Sequence, residues 1–146
     1  MAMDKQLCTF YLDKYCFGID VREVQEVFRY QEITRLPLAP NEISGLINLR
    51  GQVITAINLR LRLGMEPRED EIAPMNVVVR TQDGVMSFLV DQIGDVMEVS
   101  DDYYEEAPDT IPGALRELIT GVYKLEDRLL LIIDTKKVVQ FEAFAA

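Results

Sequence analysis

The stretch GLINLRGQVITAINLRLRL, Gly45–Leu63, aligns without a gap with a later stretch of the same chain, GVYKLEDRLLLIIDTKKVV, Gly121–Val139. The matched positions are Gly45/Gly121, Leu46/Val122, Leu49/Leu125, Val53/Leu129, Ile54/Leu130, Ile57/Ile133, Asn58/Asp134 and Arg60/Lys136. Each copy reads as a hairpin followed by a capped helix. The tips are Arg50-Gly51 and Glu126-Asp127. Asn58 caps a short helix ending at Gly64, and Asp134 or Thr135 caps a helix holding Val138, Val139 and Phe141. Upstream, Phe17-x-x-Asp20 echoes Phe88-x-x-Asp91. With one residue inserted, Gln25-Glu26-Val27 echoes Met97-Glu98-Val99. The pattern is that of two repeat-related β units, roughly residues 6–64 and 75–141, within a single domain over 1–146. Small β units of this kind close into barrels, which hides their edge strands.

Two further hairpins flank these copies. Leu7–Leu12 and Tyr15–Ile19 meet around Asp13-Lys14, with Leu12 opposite Tyr15, Phe10 opposite Phe17 and Cys8 opposite Ile19. That register places Cys16 opposite Tyr11 on the other face, away from Cys8, so two buried thiols are expected rather than a disulfide or a two-Cys metal site. Asn76–Gln82 and Val85–Asp91 flank Asp83-Gly84, and pairing Val77 with Val90 and Val79 with Phe88 gives a continuous apolar face. Between the hairpins, Asp20-Val-Arg-Glu23 has the form of a helix N-terminus. Val21, Val24, Val27 and Phe28 follow at helical spacing, which predicts a short helix before Arg29. Leu36-Pro37-Leu38-Ala39-Pro40 reads as an extended connector, and a short helix is predicted near Ala114–Leu118. Met65–Pro74, with Glu66, Glu69, Asp70 and Glu71, and Asp101–Asp109 read as solvated acidic loops.

The composition narrows the chemistry. Lys and Arg number 15 and Asp and Glu 25, a net charge of 15 − 25 = −10, with a pI near 4.5. That balance argues against nucleic-acid phosphates and anionic lipid as partners. His is absent, which removes Ser–His and Cys–His nucleophile pairs and His-ligated metals. There is no Gly-Lys-Ser/Thr phosphate loop and no Gly-x-Ser-x-Gly. Asp101-Asp102 and Glu105-Glu106 lack the calcium-loop spacing and its central Gly. Asp20, Asp91 and Asp134 each precede a helix or bend, where capping accounts for them. Catalytic, cofactor and metal residues are therefore expected to be none. No signal-peptide pattern precedes the first strand. The most apolar run, Leu129–Ile133, is far short of the roughly 20 residues of a spanning helix. The expectation is a cytoplasmic protein.

One tip is more informative than the other. The second unit has Glu126-Asp127 where the first has Arg50-Gly51, so the shared fold does not require Arg at that place. A spare Arg on a rigid tip suits bidentate pairing with a carboxylate, either Glu26 of this chain or one on another protein.

Several of these runs carry a resemblance: Phe17-Gly-Ile-Asp20, Val24-Gln-Glu26-Val27, Ile33-Thr-Arg35-Leu36-Pro37, Gly45-Leu-Ile-Asn48-Leu-Arg50-Gly51, Ile57-Asn-Leu-Arg60, Phe88-Leu-Val-Asp91 and Leu130-Leu-Ile-Ile-Asp134. Together they resemble the CheW family of bacterial chemotaxis coupling proteins over nearly the whole chain. The resemblance implies a mainly β fold, with two intertwined five-stranded SH3-like β-barrels around a shared hydrophobic core and a few short helices. It further implies a non-enzymatic adaptor without cofactors, coupling chemoreceptors (methyl-accepting proteins) to the histidine kinase CheA. The partners implied are the CheA regulatory domain, met mainly through apolar barrel-end surface, and the chemoreceptor cytoplasmic tip. Nucleic acid and direct membrane insertion are not implied, and association with membrane arrays runs through the partners. The family pattern puts Val24, Glu26, Asn48, Arg50 and Gly51 in the coupling region, and Leu89 and Val90 in an apolar stretch of the groove between barrels. Thr55 and Asn58 depart from that pattern, where Pro and Asp are usual. A length of 146 residues fits a free-standing coupler. The alternative readings are a CheW-like regulatory module of a kinase and a small-molecule-binding double barrel. For the latter the sequence offers apolar lining and no convergent polar set.

Overall fold

Alternating apolar residues fold β1, Asp4–Leu12, back onto β2, Tyr15–Asp20, in a computed structural model that describes residues 4–67, 73–82 and 84–140. The register is the expected one: Leu12 faces Tyr15, Phe10 faces Phe17, Cys8 faces Ile19 and Cys16 faces Tyr11. Both cysteines are free; Cys16 is buried as expected while Cys8 is only half-buried, and burial pushes both thiols above their ordinary range.

The helix predicted before Arg29 is replaced by one turn of 3-10 helix, Val21–Glu23, and a strand, β3, Val24–Phe28. Asp20 does cap the turn, accepting from the Arg22 N–H. The helical spacing has another cause. A bulge between Val24 and Glu26 resets the alternation, so Val24 and Val27, three apart, face Val79 and Val77, two apart. The connector also differs from expectation, since the Ala39 N–H donates to the Leu36 carbonyl at 3.3 Å and forms a turn. Leu38, at φ +70°, is fully exposed on it.

The first repeat copy forms β4, Ile43–Leu49, and β5, Gln52–Asn58, joined by Arg50-Gly51. Asn58 caps α1, Leu59–Arg62, as expected, by accepting from the Leu61 N–H. β6, Met75–Thr81, pairs with β7, Gly84–Val90, in a register two residues from the expected one. Val77 faces Phe88, Val79 faces Met86 and Met75 faces Val90. A shift of two leaves every side chain on its expected face, so the apolar pattern cannot tell the two registers apart. The turn can. Thr81 pairs with Gly84, and its hydroxyl donates to the Gly84 carbonyl at 2.8 Å.

β8, Gln92–Ser100, leads into a 3-10 turn, Asp101–Tyr103, and the two-residue β9, Tyr104–Glu105. After α2, Gly113–Arg116, the second copy forms β10, Ile119–Lys124, β11, Leu129–Ile133, and α3, Thr135–Val138, capped by Asp134. Phe141, Asp83 and the acidic residues Glu69, Asp70 and Glu71 lie outside the described residues.

The strands make a six-stranded sheet, β8-β1-β2-β11-β10-β9, and a five-stranded sheet, β3-β6-β7-β5-β4. Each takes strands from both halves of the sequence. The N-terminal hairpin sits beside β11 in parallel, and β7 sits beside β5 in parallel. The result is the intertwined pair of SH3-like barrels, with β9 as the extra strand of one. The largest apolar cluster belongs to both barrels, joining Phe10, Phe17 and Leu131 to Ile57, Val77 and Phe88. Smaller cores fill each barrel, around Ile47, Ile54, Val78 and Leu89 in one and Leu7, Tyr123 and Leu130 in the other.

The first match of the repeat now has a physical reason. In the five-stranded barrel Thr34 bridges Leu46 through two backbone hydrogen bonds of 2.8 Å, and in the other barrel Glu105 of β9 faces Val122. A Cβ on Gly45 would run into the Thr34 carbonyl oxygen, and one on Gly121 would lie 2.7 Å from the Glu105 carbonyl oxygen. Both glycines sit where a short crossing strand closes its barrel against a bulged neighbour.

A charged clamp ties the barrels together. Arg60 of α1 forms a two-pronged ion pair with Asp91, its Nε 3.0 Å from Oδ1 and Nη2 against Oδ2. Asp91 also accepts from the Asp13 N–H at 2.8 Å, and the two charged side chains are only 15% and 17% exposed. Asp91 is thus an anchor for the β1–β2 turn and α1 rather than a cap. No helix among the described residues is long and apolar enough to cross a membrane.

Candidate functional site

The tip between β4 and β5 is a two-residue turn with both residues in the left-handed region, Arg50 at φ +52° and Gly51 at φ +86°. Such turns match the twist of the strands they join and favour Asn-Gly or Gly-Gly at their centre. Arg at the first position strains the backbone by about 1 kcal/mol. At Gly51 a Cβ would meet nothing within 4 Å, so the glycine answers to its backbone angle and not to space. The tip is held by Asn48, whose side-chain oxygen accepts from the Gly51 N–H at 2.9 Å.

Arg50 turns to Glu26. Its Nη2 donates to Oε2 of Glu26 on β3, so the intramolecular partner named from the sequence is the one observed. The pair rests on a single guanidinium nitrogen and is not the bidentate geometry expected. β3 and β4 are the two edges of the five-stranded sheet, so the pair joins opposite edges of one barrel. Arg50 remains 71% exposed at its side chain against 24% for Glu26. The guanidinium therefore keeps donors facing solvent.

Glu26, Asn48, Arg50 and Gly51 come together at this tip; the other three expected residues do not. Val24 lies on β3 but faces Val79 and packs against the shared core. Val90 is fully buried in that core opposite Met75. Leu89 is buried in the five-stranded barrel and lines a groove of about 650 Å³ with Tyr30, Ile33, Leu36 and Pro40. In this conformation Leu89 and Val90 present almost no surface, and of the two it is Leu89 that borders the groove.

Two features escaped the sequence reading. The Arg60–Asp91 clamp gave no sign, because 31 positions separate its members. The Thr34 closure left a faint one: Thr34 and Glu105 are 105 − 34 = 71 positions apart, as are Phe17 and Phe88. No group of three or more Cys, Asp or Glu able to hold a metal occurs among the described residues.

A model of the CheW-like domain matches residues 6–143 of this chain. The chain belongs to the CheW-like family. Among its relatives, the chemotaxis protein CheW of Treponema pallidum is 31% identical over 136 residues, covering 90% of this chain and 80% of that protein. The chemotaxis protein CheW of Klebsiella aerogenes is 28% identical over 144 residues, covering 99% and 87%. Among solved structures, the scaffolding protein TtCheW of Thermoanaerobacter tengcongensis superposes with a TM-score of 0.86 at 26% identity, covering 96% of this chain and 95% of that one. The CheW-like fold thus extends over both barrels, and the Arg50 tip is part of it.

Proposed function

We propose that this CheW-like chain is a non-enzymatic cytoplasmic adaptor that couples chemoreceptors to the histidine kinase CheA. The observation that carries the proposal is the Arg50 tip. A strained, exposed arginine is held in a fixed direction by Glu26 and Asn48 on a fold shared with proteins named for chemotaxis and scaffolding. Such a group contributes register and specificity to a contact more than bulk affinity. Affinity comes from apolar surface at the barrel ends and from the exposed Tyr30 and Leu36 beside the groove.

In this reading Glu26, Asn48, Arg50 and Gly51 meet the receptor's cytoplasmic tip, with Val24, Leu89 and Val90 setting the shape beneath. The CheA regulatory domain meets the barrel ends. The two repeat-related units act as one domain, because each barrel needs strands from both. A sequence without His, phosphate loop or nucleophile motif is consistent with a protein that works by binding alone.

The test is reconstitution of receptor-bearing membranes, CheA and this protein, with kinase autophosphorylation as the readout. Receptor-controlled kinase activity should appear on adding the wild-type protein and fall with Arg50→Ala. Kinase activity indifferent to the protein would overturn the adaptor reading.

A further inference from the structure

The repeat builds a second hairpin tip beside a second groove, and there the charges do not cancel. In the first unit Glu26 and Arg50 neutralise each other. The equivalent positions of the second unit are Glu98 and Glu126, both acids. Both line a groove of about 700 Å³ at the β10–β11 tip, and both are exposed. Neither side chain has an ion-pair or hydrogen-bond partner among the described residues. The cation on this rim, Lys124, is already engaged with Glu105 at 3.3 Å.

The walls of the groove are apolar. Val99 and Tyr123 are buried at its floor, Leu125 is half-buried, and Tyr103 stands 63% exposed at the side. The Tyr123 hydroxyl is held by Asp101 at 3.2 Å. A rigid aromatic flanking an apolar slot is the usual anchor of a protein contact, since it offers large area at small entropic cost. The unneutralised carboxylates at the mouth, Glu98 and Glu126 with Asp4 beside them, select the sign of what enters.

We propose that this groove docks a basic, apolar segment of a partner protein, with one Arg or Lys between Glu98 and Glu126 and a Leu-like side chain between Val99, Tyr103 and Leu125. The partner supplies in trans the guanidinium that Arg50 supplies in cis at the other tip. A second copy of this chain is a poor occupant, because a net charge of −10 repels its like. The contact lies in the six-stranded barrel, away from the Arg50 tip in the five-stranded one, and stands or falls independently of the adaptor reading.

The experiment is a titration of the isotope-labelled protein, followed by amide chemical shifts, with a short synthetic peptide centred on Arg-Leu-Arg. Two control peptides carry Arg-Ser-Arg and Glu-Leu-Glu. Saturable shifts are expected at Glu98, Tyr103, Leu125 and Glu126, with weaker binding of Arg-Ser-Arg and none of Glu-Leu-Glu. Combining Glu98→Gln with Glu126→Gln should weaken Arg-Leu-Arg binding by about tenfold, the size of two exposed charge pairs lost together. Glu126→Arg should restore the internal pair with Glu98 and expel the peptide. All these positions are exposed, so folding should be unchanged, which the spectra report directly. Absence of saturable shifts at the groove would overturn the proposal. So would equal binding by the double variant, equal binding of Arg-Ser-Arg, or peptide-free shifts that grow with protein concentration and so report a second copy.

Discussion

Replacing Arg50 with Ala separates a coupling role from a structural one. The ion pair to Glu26 is lost, but with Arg50 71% exposed solvent already screens most of it. Exposed pairs contribute 0.2–1 kcal/mol, and about 0.5 kcal/mol is the fitting value here. The backbone strain at φ +52° does not change, because Ala in the left-handed region carries the same penalty. The expected loss of stability is therefore about 0.5 kcal/mol and no more than about 1, or at most about 4 °C in Tm for a chain of this size. Urea and thermal unfolding measure that loss, and receptor-coupled kinase activation measured on the same preparation reads the function. Near-normal stability with coupling lost is the predicted outcome. A loss above about 2 kcal/mol would show that the pair holds the barrel edges together and would refute the reasoning, as would full coupling by the variant. Arg50→Gly sharpens the comparison: it removes the same charge and relieves the strain, so it should be at least as stable as Arg50→Ala and equally uncoupled.

Three further outcomes follow from the structure. Gly45→Ala drives a Cβ into the Thr34 carbonyl and forfeits the two hydrogen bonds to Leu46, so urea unfolding should show a loss of about 3 kcal/mol and the Leu46 amide should exchange faster; unchanged protection would contradict the closure. Asp91→Ala takes away the carboxylate facing Arg60 and the acceptor of the Asp13 N–H, at an expected cost of about 2–3 kcal/mol, and a double-mutant cycle with Arg60→Ala should recover part of it. Tyr123 is pushed up to about 12, first by burial and then by its hydrogen bond to Asp101. The fold favours the neutral phenol, so this group's contribution is complete below pH 10, its unfolded value, and is lost as the pH rises through about 12. Phenolate absorbance should show one of the six tyrosines titrating late, and Tyr123→Phe should remove that step.

The barrels were legible because their decisive features are local or repeated. Hairpins with short polar tips, caps at Asn58 and Asp134, and glycines 76 positions apart at Gly45 and Gly121 all leave marks within a few residues of each other or in both copies. Where the reading went astray, two structures satisfied one pattern. A bulge gives β3 the three-residue spacing of a helix turn, and a two-residue slip leaves the β6–β7 faces intact while moving every partner. The Arg50 tip was legible by contrast with Glu126-Asp127. The depth of Leu89 and Val90 was not, since both faces of β7 are covered and a run of apolar residues does not say by what. The Arg60–Asp91 clamp continues the parallel β5–β7 pairing, in which Asn58 faces Leu89, and a parallel pairing of distant strands leaves no mark in the spacing along the chain.

The most direct test of the central claim is a calorimetric titration of this protein with the regulatory domain of the chemotaxis histidine kinase from the same organism. Saturable one-to-one binding that survives Arg50→Ala is the outcome expected of the proposed arrangement, in which the kinase meets the barrel ends and the arginine faces the receptor. Absence of binding at every concentration reached would contradict it.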